Sequence, residues 1–278
     1  MATPSKAMSL PFGESEIGGS NVRPPLKWAG GKRWQLHHLR KYWDLESHRR
    51  LVEPFCGGLA VALGLSPRQA LLNDINPHLI NFYKHLKKGL VSSLRQENKS
   101  TLYYSHRREF NQLLEEGKGR TPRAAMLFYY LNRTGYNGLC RFNQSGGFNV
   151  PFGSYRSINY RTDFLEYCDV FANWKFTNVY FDRIPLQPED FIYADPPYDV
   201  EFRQYSKDGF GWKEQEKTAH WLAAHSGPVI LSNQATPRIV KLYRKLGYSL
   251  KFLHGPRRIS CNGDRTPAEE ILAIRNLP

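Results

Sequence analysis

The chain has 278 residues, of which 41% are hydrophobic and 14% aromatic. That is enough for one packed core plus a smaller inserted domain, and it excludes a wholly disordered chain. A surplus of 39 Lys and Arg over 25 Asp and Glu leaves a net charge of +14, which points to a polyanion such as nucleic acid as partner. Cys56, Cys140, Cys168 and Cys261 have no C-x-x-C spacing, so neither a zinc site nor a redox pair is indicated and no metal is expected. With no secretory leader in view, reduced thiols and a cytoplasmic location are expected. No apolar run approaches the ~20 residues that cross a bilayer, so no membrane partner is expected.

Residues 1–22 are rich in Ser, Gly, Pro and Met and read as a flexible tail. Residues 50–55 read as a short buried strand running into a glycine turn, and 60–65 as the start of a helix. A second short strand is predicted at 69–73, closed by Asp74. This is the strand–helix–strand opening of a nucleotide-binding α/β fold. From Pro77 the spacing turns helical, with Leu79, Ile80, Tyr83 and Leu86 on one stripe and Ala124, Leu127, Phe128 and Leu131 on another. A polar stretch, 96–120, lies between them. Residues 77–161 therefore read as a mostly helical insertion ending in a Gly- and Asn-rich hairpin at 134–153. Strands are predicted at 176–181, 190–194 and 228–231, with a helix at 214–225. Two closing strands, 249–253 and 270–274, flank a loop containing Asn262-Gly263. The alternation predicts a mainly parallel sheet whose last pair is antiparallel.

The strongest chemical signal is Asp195-Pro196-Pro197-Tyr198, directly after the apolar run Phe191-Ile192-Tyr193-Ala194. Open α/β sheets place ligands at such strand ends. Prolines stiffen the turn and remove its backbone donors, so its carbonyls are left to accept. A carboxylate and a proline-turn carbonyl together offer two acceptors for the two hydrogens of an exocyclic amine. Such an amine is a poor nucleophile until it becomes pyramidal, and aimed acceptors favour that change. Tyr198 offers a flat face for a base. Glu53-Pro54-Phe55-Cys56-Gly57-Gly58 stands at another strand end, where glycines allow close approach of backbone to ligand. Asp74 stands after the next strand, where an acid often meets ribose hydroxyls. Lys27-Trp28-Ala29-Gly30-Gly31-Lys32 could cover an adenine or methionine moiety with Trp28 and meet a carboxylate with Lys32. The segment Asn132 to Asn143, continuing through Phe148 to Gly153, interleaves aromatic, amide and Arg side chains, which suit base edges in the major groove. Each of the last three also reads as an ordinary loop or hairpin when taken alone.

Taken together and in this order, the motifs resemble the DNA adenine methyltransferase (Dam) family, from Pro25 to about Asn276. The resemblance implies a Rossmann-like, S-adenosylmethionine-dependent methyltransferase fold. Its catalytic domain would comprise 23–76 and 162–278, with 77–161 as a target-recognition domain. It implies methylation of adenine N6 in double-stranded DNA, with GATC as the expected site, base flipping and direct transfer. It assigns catalysis to Asp195, Pro196, Pro197 and Tyr198, with Tyr198 stacking on the flipped adenine. Cofactor binding falls to Trp28, Ala29, Gly30, Lys32, Glu53, Pro54, Phe55, Gly57, Asp74 and Asp195. DNA contacts fall to Lys27, Tyr136, Asn137, Leu139, Arg141 and Pro151. The family often has Gly-x-Gly after Glu-Pro-Phe-x, whereas here Leu59 takes the second Gly slot. Thr134 sits where some members carry an aromatic. A monomer is expected to act, and a cognate restriction endonuclease acting separately is a conceivable partner.

Other readings compete. N4-cytosine methylation uses the same amine logic, and RNA or a protein glutamine amide are further substrates for it. Cytosine-C5 chemistry needs a nucleophilic thiol, usually in a Pro-Cys pair, and no cysteine here follows proline. A non-catalytic DNA-binding regulator would explain the charge, but not the joint presence of Trp28, Lys32, Asp74, Asp195, Pro196 and Tyr198.

Overall fold

The computed structural model describes residues 22–199, 210–255 and 268–278. Two short strands, β1 (Leu51–Glu53) and β2 (Ala70–Asn73), are buried at every position. Such continuous burial belongs to a parallel sheet covered on both faces. The helix α2 (Ala60–Leu65) crosses between them, and the strands pair in parallel at Val52 and Leu71. On its other side β1 pairs with β4 (Phe191–Ala194), which pairs with β5 (Val229–Gln234), again in parallel. Beyond β2 lies β3 (Trp174–Thr177). The chain closes with β6 (Ser249–Gly255) and β7 (Ala268–Arg275), and β7 inserts antiparallel between β5 and β6.

The sheet order is therefore β3-β2-β1-β4-β5-β7-β6. The direction of strand addition reverses between β1 and β4, and ligands bind outside the carboxyl ends of the strands at such a reversal. Alternating strand residues enter separate cores. Leu51, Leu72, Phe191 and Tyr193 join one that includes Leu39 and Trp43 of α1 (Leu36–Glu46) and Phe171 of α6 (Glu166–Phe171). Val52, Leu71, Ile192 and Leu231 join the other, against Ala219 and Leu222 of α7 (Trp212–Ala223) and Ile239 and Leu242 of α8 (Pro237–Lys245).

Between β2 and β3 the chain builds α3 (Pro77–Leu86), α4 (Ser100–Glu115) and α5 (Pro122–Thr134). Both α3 and α5 begin with a proline at the first turn and a polar cap before it. The Asn76 side-chain oxygen accepts from the His78 and Leu79 amides, and the Thr121 hydroxyl accepts from Ala124. Phe82 of α3 stacks on Tyr129 of α5 at 5.8 Å. After α5 comes a tight turn at Tyr136–Gly138, then a hairpin closed by bridges between Phe142 and Phe148 and between Gly135 and Phe152.

Several expectations shift. The strand expected at 176–181 is β3 at Trp174–Thr177, and Phe181–Arg183 is a single helical turn. Phe181 is apolar because it packs on Phe55 and Trp221, not because it is in a strand. The polar stretch 96–120 contains α4, whose buried face is only Tyr103, His106 and Phe110. The helices α1 and α6 bury only two residues each, too few to stand out by periodicity, whereas α8 buries Ile239, Leu242 and Tyr243 at helical spacing and was missed. The tail up to residue 21 and the Asn262-Gly263 loop lie outside the described residues.

Candidate active site

The carboxyl ends of β1, β2 and β4 bring together Glu53, Asp74 and Asp195, as the topology requires. Glu53 is the last residue of β1 and is 2% exposed. Burial, with the Asp195 carboxylate nearby, raises its pKa well above the usual carboxylate range. Burial likewise pushes Asp195 up to about 7; the Lys32 ammonium opposes this and the Glu270 carboxylate adds to it. One oxygen of each acid, Oε1 of Glu53 and Oδ1 of Asp195, is buried without a hydrogen-bond donor among the described residues. Buried acceptors of this kind are costly unless a ligand satisfies them. They suit a cationic or N–H-bearing ligand, and S-adenosylmethionine carries both an ammonium and a sulfonium.

Lys32 is 6% exposed and sits 3.6 Å from Asp195 Oδ1 and 3.4 Å from Glu270 Oε2. Its ammonium also lies 4.1 Å from the centre of the Tyr198 ring, so one face of that ring is covered by a cation. The Tyr198 hydroxyl donates to Glu270 Oε2 at 2.7 Å and lies 2.8 Å from the Ser232 hydroxyl. Gln35 Nε2 donates to the same Glu270 oxygen at 2.9 Å, while Gln35 Oε1 accepts from the Tyr193 hydroxyl. Glu270, Gln35 and Ser232 carry no motif, and sequence reading missed all three. The usable signal was a charged residue leading into an otherwise apolar strand, Ile271 to Ile274.

The glycine pair after β1 is also required by packing within the chain. A Cβ at Gly58 would lie 2.6 Å from Trp28 Cβ, and one at Gly57 would lie 2.7 Å from Trp28 Nε1. The close approach is made by the Trp28 side chain. Gly57 also has φ +43° and donates its N–H to Asp74 Oδ2 at 3.1 Å. The other Asp74 oxygen accepts from the Asn76 amide at 2.9 Å, so Asp74 is held across the tip of the β1 loop. Leu59, in the slot where the resemblance led to an expectation of Gly, adopts φ +61° and is fully buried. The left-handed backbone survives with a leucine because its side chain packs in the core. Pro54 is buried, Phe55 packs edge-on against Phe210 at 5.6 Å, and Ala29 and Gly30 are exposed.

The Asp195–Tyr198 turn is held from below. Gln215 of α7, 1% exposed, donates to the Pro197 carbonyl at 2.7 Å. Gln215 in turn accepts from Asn233 of β5 at 2.9 Å, and Asn233 accepts from the Asp199 amide at 3.3 Å. The Pro197 carbonyl is thus tied to α7, and the turn with it.

The expected nucleic-acid contacts fall on the α5–hairpin side. Tyr136 is 51% exposed, and Asn137, Arg141 and Pro151 are exposed too. Leu139 is half-buried. The Pro151 carbonyl accepts from the Tyr136 amide at 2.9 Å, and Arg141 Nε donates to Asn149 Oδ1 at 2.8 Å, so the two sides of the hairpin are tied. Lys27 Nζ donates to the Arg133 carbonyl and lies 3.5 Å from the centre of the Tyr155 ring. Burial and the nearby Arg133 charge pull its pKa down to about 8. Thr134 is fully buried, its hydroxyl 2.8 Å from that of Tyr160, so it faces the interior.

Residues 28–255 match the family of D12 class N6 adenine-specific DNA methyltransferases. The chain belongs to that family. It is an adenine-specific DNA methyltransferase, a member of a methyltransferase class that draws on S-adenosylmethionine. It is 36% identical over 263 residues to the retron Ec67 DNA adenine methylase of Escherichia coli, covering 90% of each chain. Against the DNA adenine methylase of Vibrio cholerae the identity is 35% over 278 residues, covering 90% of this chain and 94% of the relative. A type II methyltransferase of Lactococcus lactis is 32% identical over 244 residues, covering 81% and 85%. The methyltransferase has no described helix long and apolar enough to cross a membrane.

Proposed function

We propose that this methyltransferase acts on adenine N6 in duplex GATC sites, flipping the base out and transferring the methyl group directly. The observation that carries the reading is the Asp195–Tyr198 turn at the β1/β4 reversal, with the buried Oδ1 of Asp195 beside Lys32. Asp195 and the Pro196 carbonyl accept the two amine hydrogens, which favours a pyramidal nitrogen and stabilises the charge developing on it. Tyr198 stacks on the adenine by the face turned away from Lys32. S-adenosylmethionine supplies an activated methyl group as a sulfonium. Trp28, Ala29, Gly30, Lys32, Glu53, Pro54, Phe55, Gly57 and Asp74 hold it, with Glu53 suited to its ammonium and Asp74 to its ribose. Positioning of this kind is worth up to ~7–11 kcal/mol.

Residues 77–161 form the target-recognition domain on this reading, and 23–76 with 162–278 the catalytic domain. Lys27, Asn137, Leu139, Arg141 and Pro151 contact bases or backbone, and Tyr136 fills the gap left by the flipped adenine, which offsets part of an unstacking cost of a few kcal/mol. The exposure of the Tyr136 ring supports this role. The enzyme works as a cytoplasmic monomer, and its likeness to a type II methyltransferase makes a separately acting endonuclease a natural companion.

The test is single-molecule sequencing of plasmid DNA from a methylase-deficient bacterial strain expressing the chain. N6-methyladenine confined to GATC supports the whole reading. Methylation at another site keeps the chemistry and rejects the assigned base contacts.

A further inference from the structure

We infer that Asn132 is a positioning residue for target discrimination, locking the Lys27 loop and the Tyr136–Gly138 turn into one base-reading unit. The inference rests on the reading above that Lys27 and the Tyr136–Arg141 segment contact DNA.

Asn132 is on α5 and 1% exposed. Its side-chain oxygen accepts from the Lys27 amide at 2.9 Å. Its side-chain nitrogen donates to the Lys27 carbonyl at 2.8 Å and to the Gly138 carbonyl at 3.1 Å. Both amide hydrogens are therefore used, on segments more than a hundred residues apart in sequence. The first two bonds give Lys27 the paired contact a neighbouring strand would give, so its backbone is fixed although it lies in a loop. The third places the turn that presents Tyr136 and Asn137 on the same anchor.

A separate observation concerns the fit between these two segments. Gly138 has φ +63°, and a Cβ there would lie 2.4 Å from Lys27 Cβ. The turn and the Lys27 loop touch so closely that only glycine fits. The next residue on α5, Arg133, offers its carbonyl to Lys27 Nζ, and Tyr155 holds the ammonium over its ring while donating to the Gly135 carbonyl. The head group of Lys27 is thus aimed by the same helix end that fixes its backbone. Base readout depends on donors placed to within a fraction of an ångström, and a buried amide satisfied at every site is a rigid way to place two reading elements together.

The test compares kcat/KM on a duplex containing GATC with kcat/KM on one whose first guanine is replaced by adenine. This ratio does not depend on the fraction of folded enzyme, so partial misfolding leaves it readable. Asn132→Ala should lower the ratio about tenfold, the scale of one well-made base contact. The loss should come from a slower GATC reaction with the rate on the altered duplex kept. Gly138→Ala should do the same, disturbing the contact while leaving the Asn132 side chain in place. Calorimetry with S-adenosylmethionine should show cofactor affinity within about twofold of wild type. A ratio unchanged in both variants, with both rates falling together, overturns the inference and leaves Asn132 a stability residue only. Lys27→Ala separates the two levels: if it leaves the ratio at the wild-type value, the DNA-contact reading of Lys27 fails, and the inference with it.

Discussion

The Tyr198 hydroxyl donates to the Glu270 carboxylate at 2.7 Å, and this bond ties the loop after β4 to the start of β7. Glu270 also pairs with Lys32, so one acid on the antiparallel strand orients both the aromatic ring and the ammonium. Tyr198→Phe keeps the ring and loses this anchor. We expect kcat to fall about tenfold, since a hydrogen bond to a charged group is worth about 1.5–3 kcal/mol. Cofactor affinity should hardly change. Tyr198→Ala should fall much further, because the stacking face is gone. Single-turnover methylation with tritiated cofactor measures both, and equal rates for the Phe and Ala variants would remove the ring from the mechanism.

Asp195 is pushed up to about 7, mainly by burial, and it accepts hydrogen bonds best when ionised. A raised acid pKa means the active, charged form is lost as pH falls through about 7 in the free enzyme. The profile of kcat/KM should therefore show an acid limb near pH 7. A bound cation favours the carboxylate, so the limb in kcat should lie lower. The sign for stability is the reverse. A folded-state value above the ordinary 3.8 contributes stability at low pH that is lost as pH rises through about 7. A kcat/KM profile flat from pH 5 to 8 would contradict the ionised role.

Gln215 holds the Pro197 carbonyl and, in the interior, accepts from Asn233. Gln215→Leu leaves the Pro197 carbonyl without its donor and removes one of two acceptors from the Asn233 amide, which still donates to the Tyr243 hydroxyl, so the cost should be roughly 1–3 kcal/mol. We expect a lower urea midpoint at constant slope and a fall in kcat larger than any change in KM for DNA. Unchanged kcat in the folded variant would show that the turn holds its shape without the amide.

Gly58→Ala puts a methyl 2.6 Å from Trp28 Cβ, so the indole must move. Cofactor affinity should drop by about tenfold or more, with a change in tryptophan fluorescence, while binding of non-specific DNA stays the same. Calorimetry reads the first, and wild-type affinity would mean that Trp28 has room to shift without cost.

The site shows how far local pattern reaches. Asp195 to Tyr198, Glu53 and Asp74 were legible because each follows a short apolar strand, and strand ends in an α/β sheet converge on one edge. Glu270, Gln215 and Asn233 were not, and Asn132 stood out only as the first residue of the Asn132–Asn143 segment, not as an anchor. Each is one polar residue within or beside a regular element, without spacing to mark it. Asn132 ends the apolar stripe of α5, and Gln215 shares the buried face of α7 with Thr218, Ala219 and Leu222. A polar residue on a core face was the available hint, but it does not name the partner.

The sequence by itself determined the strand–loop chemistry, the order of the motifs, and the mainly parallel sheet with an antiparallel close, because these depend on neighbours along the chain. The packing of Trp28 against the Gly57-Gly58 pair, the left-handed Leu59, the cation over Tyr198 and the Asn132 lock were decided only by tertiary structure. Each of them joins segments distant in sequence. Their geometry follows from which faces the sheet order and the packing of α5 and α7 bring within hydrogen-bond reach, and that is a property of the assembled core.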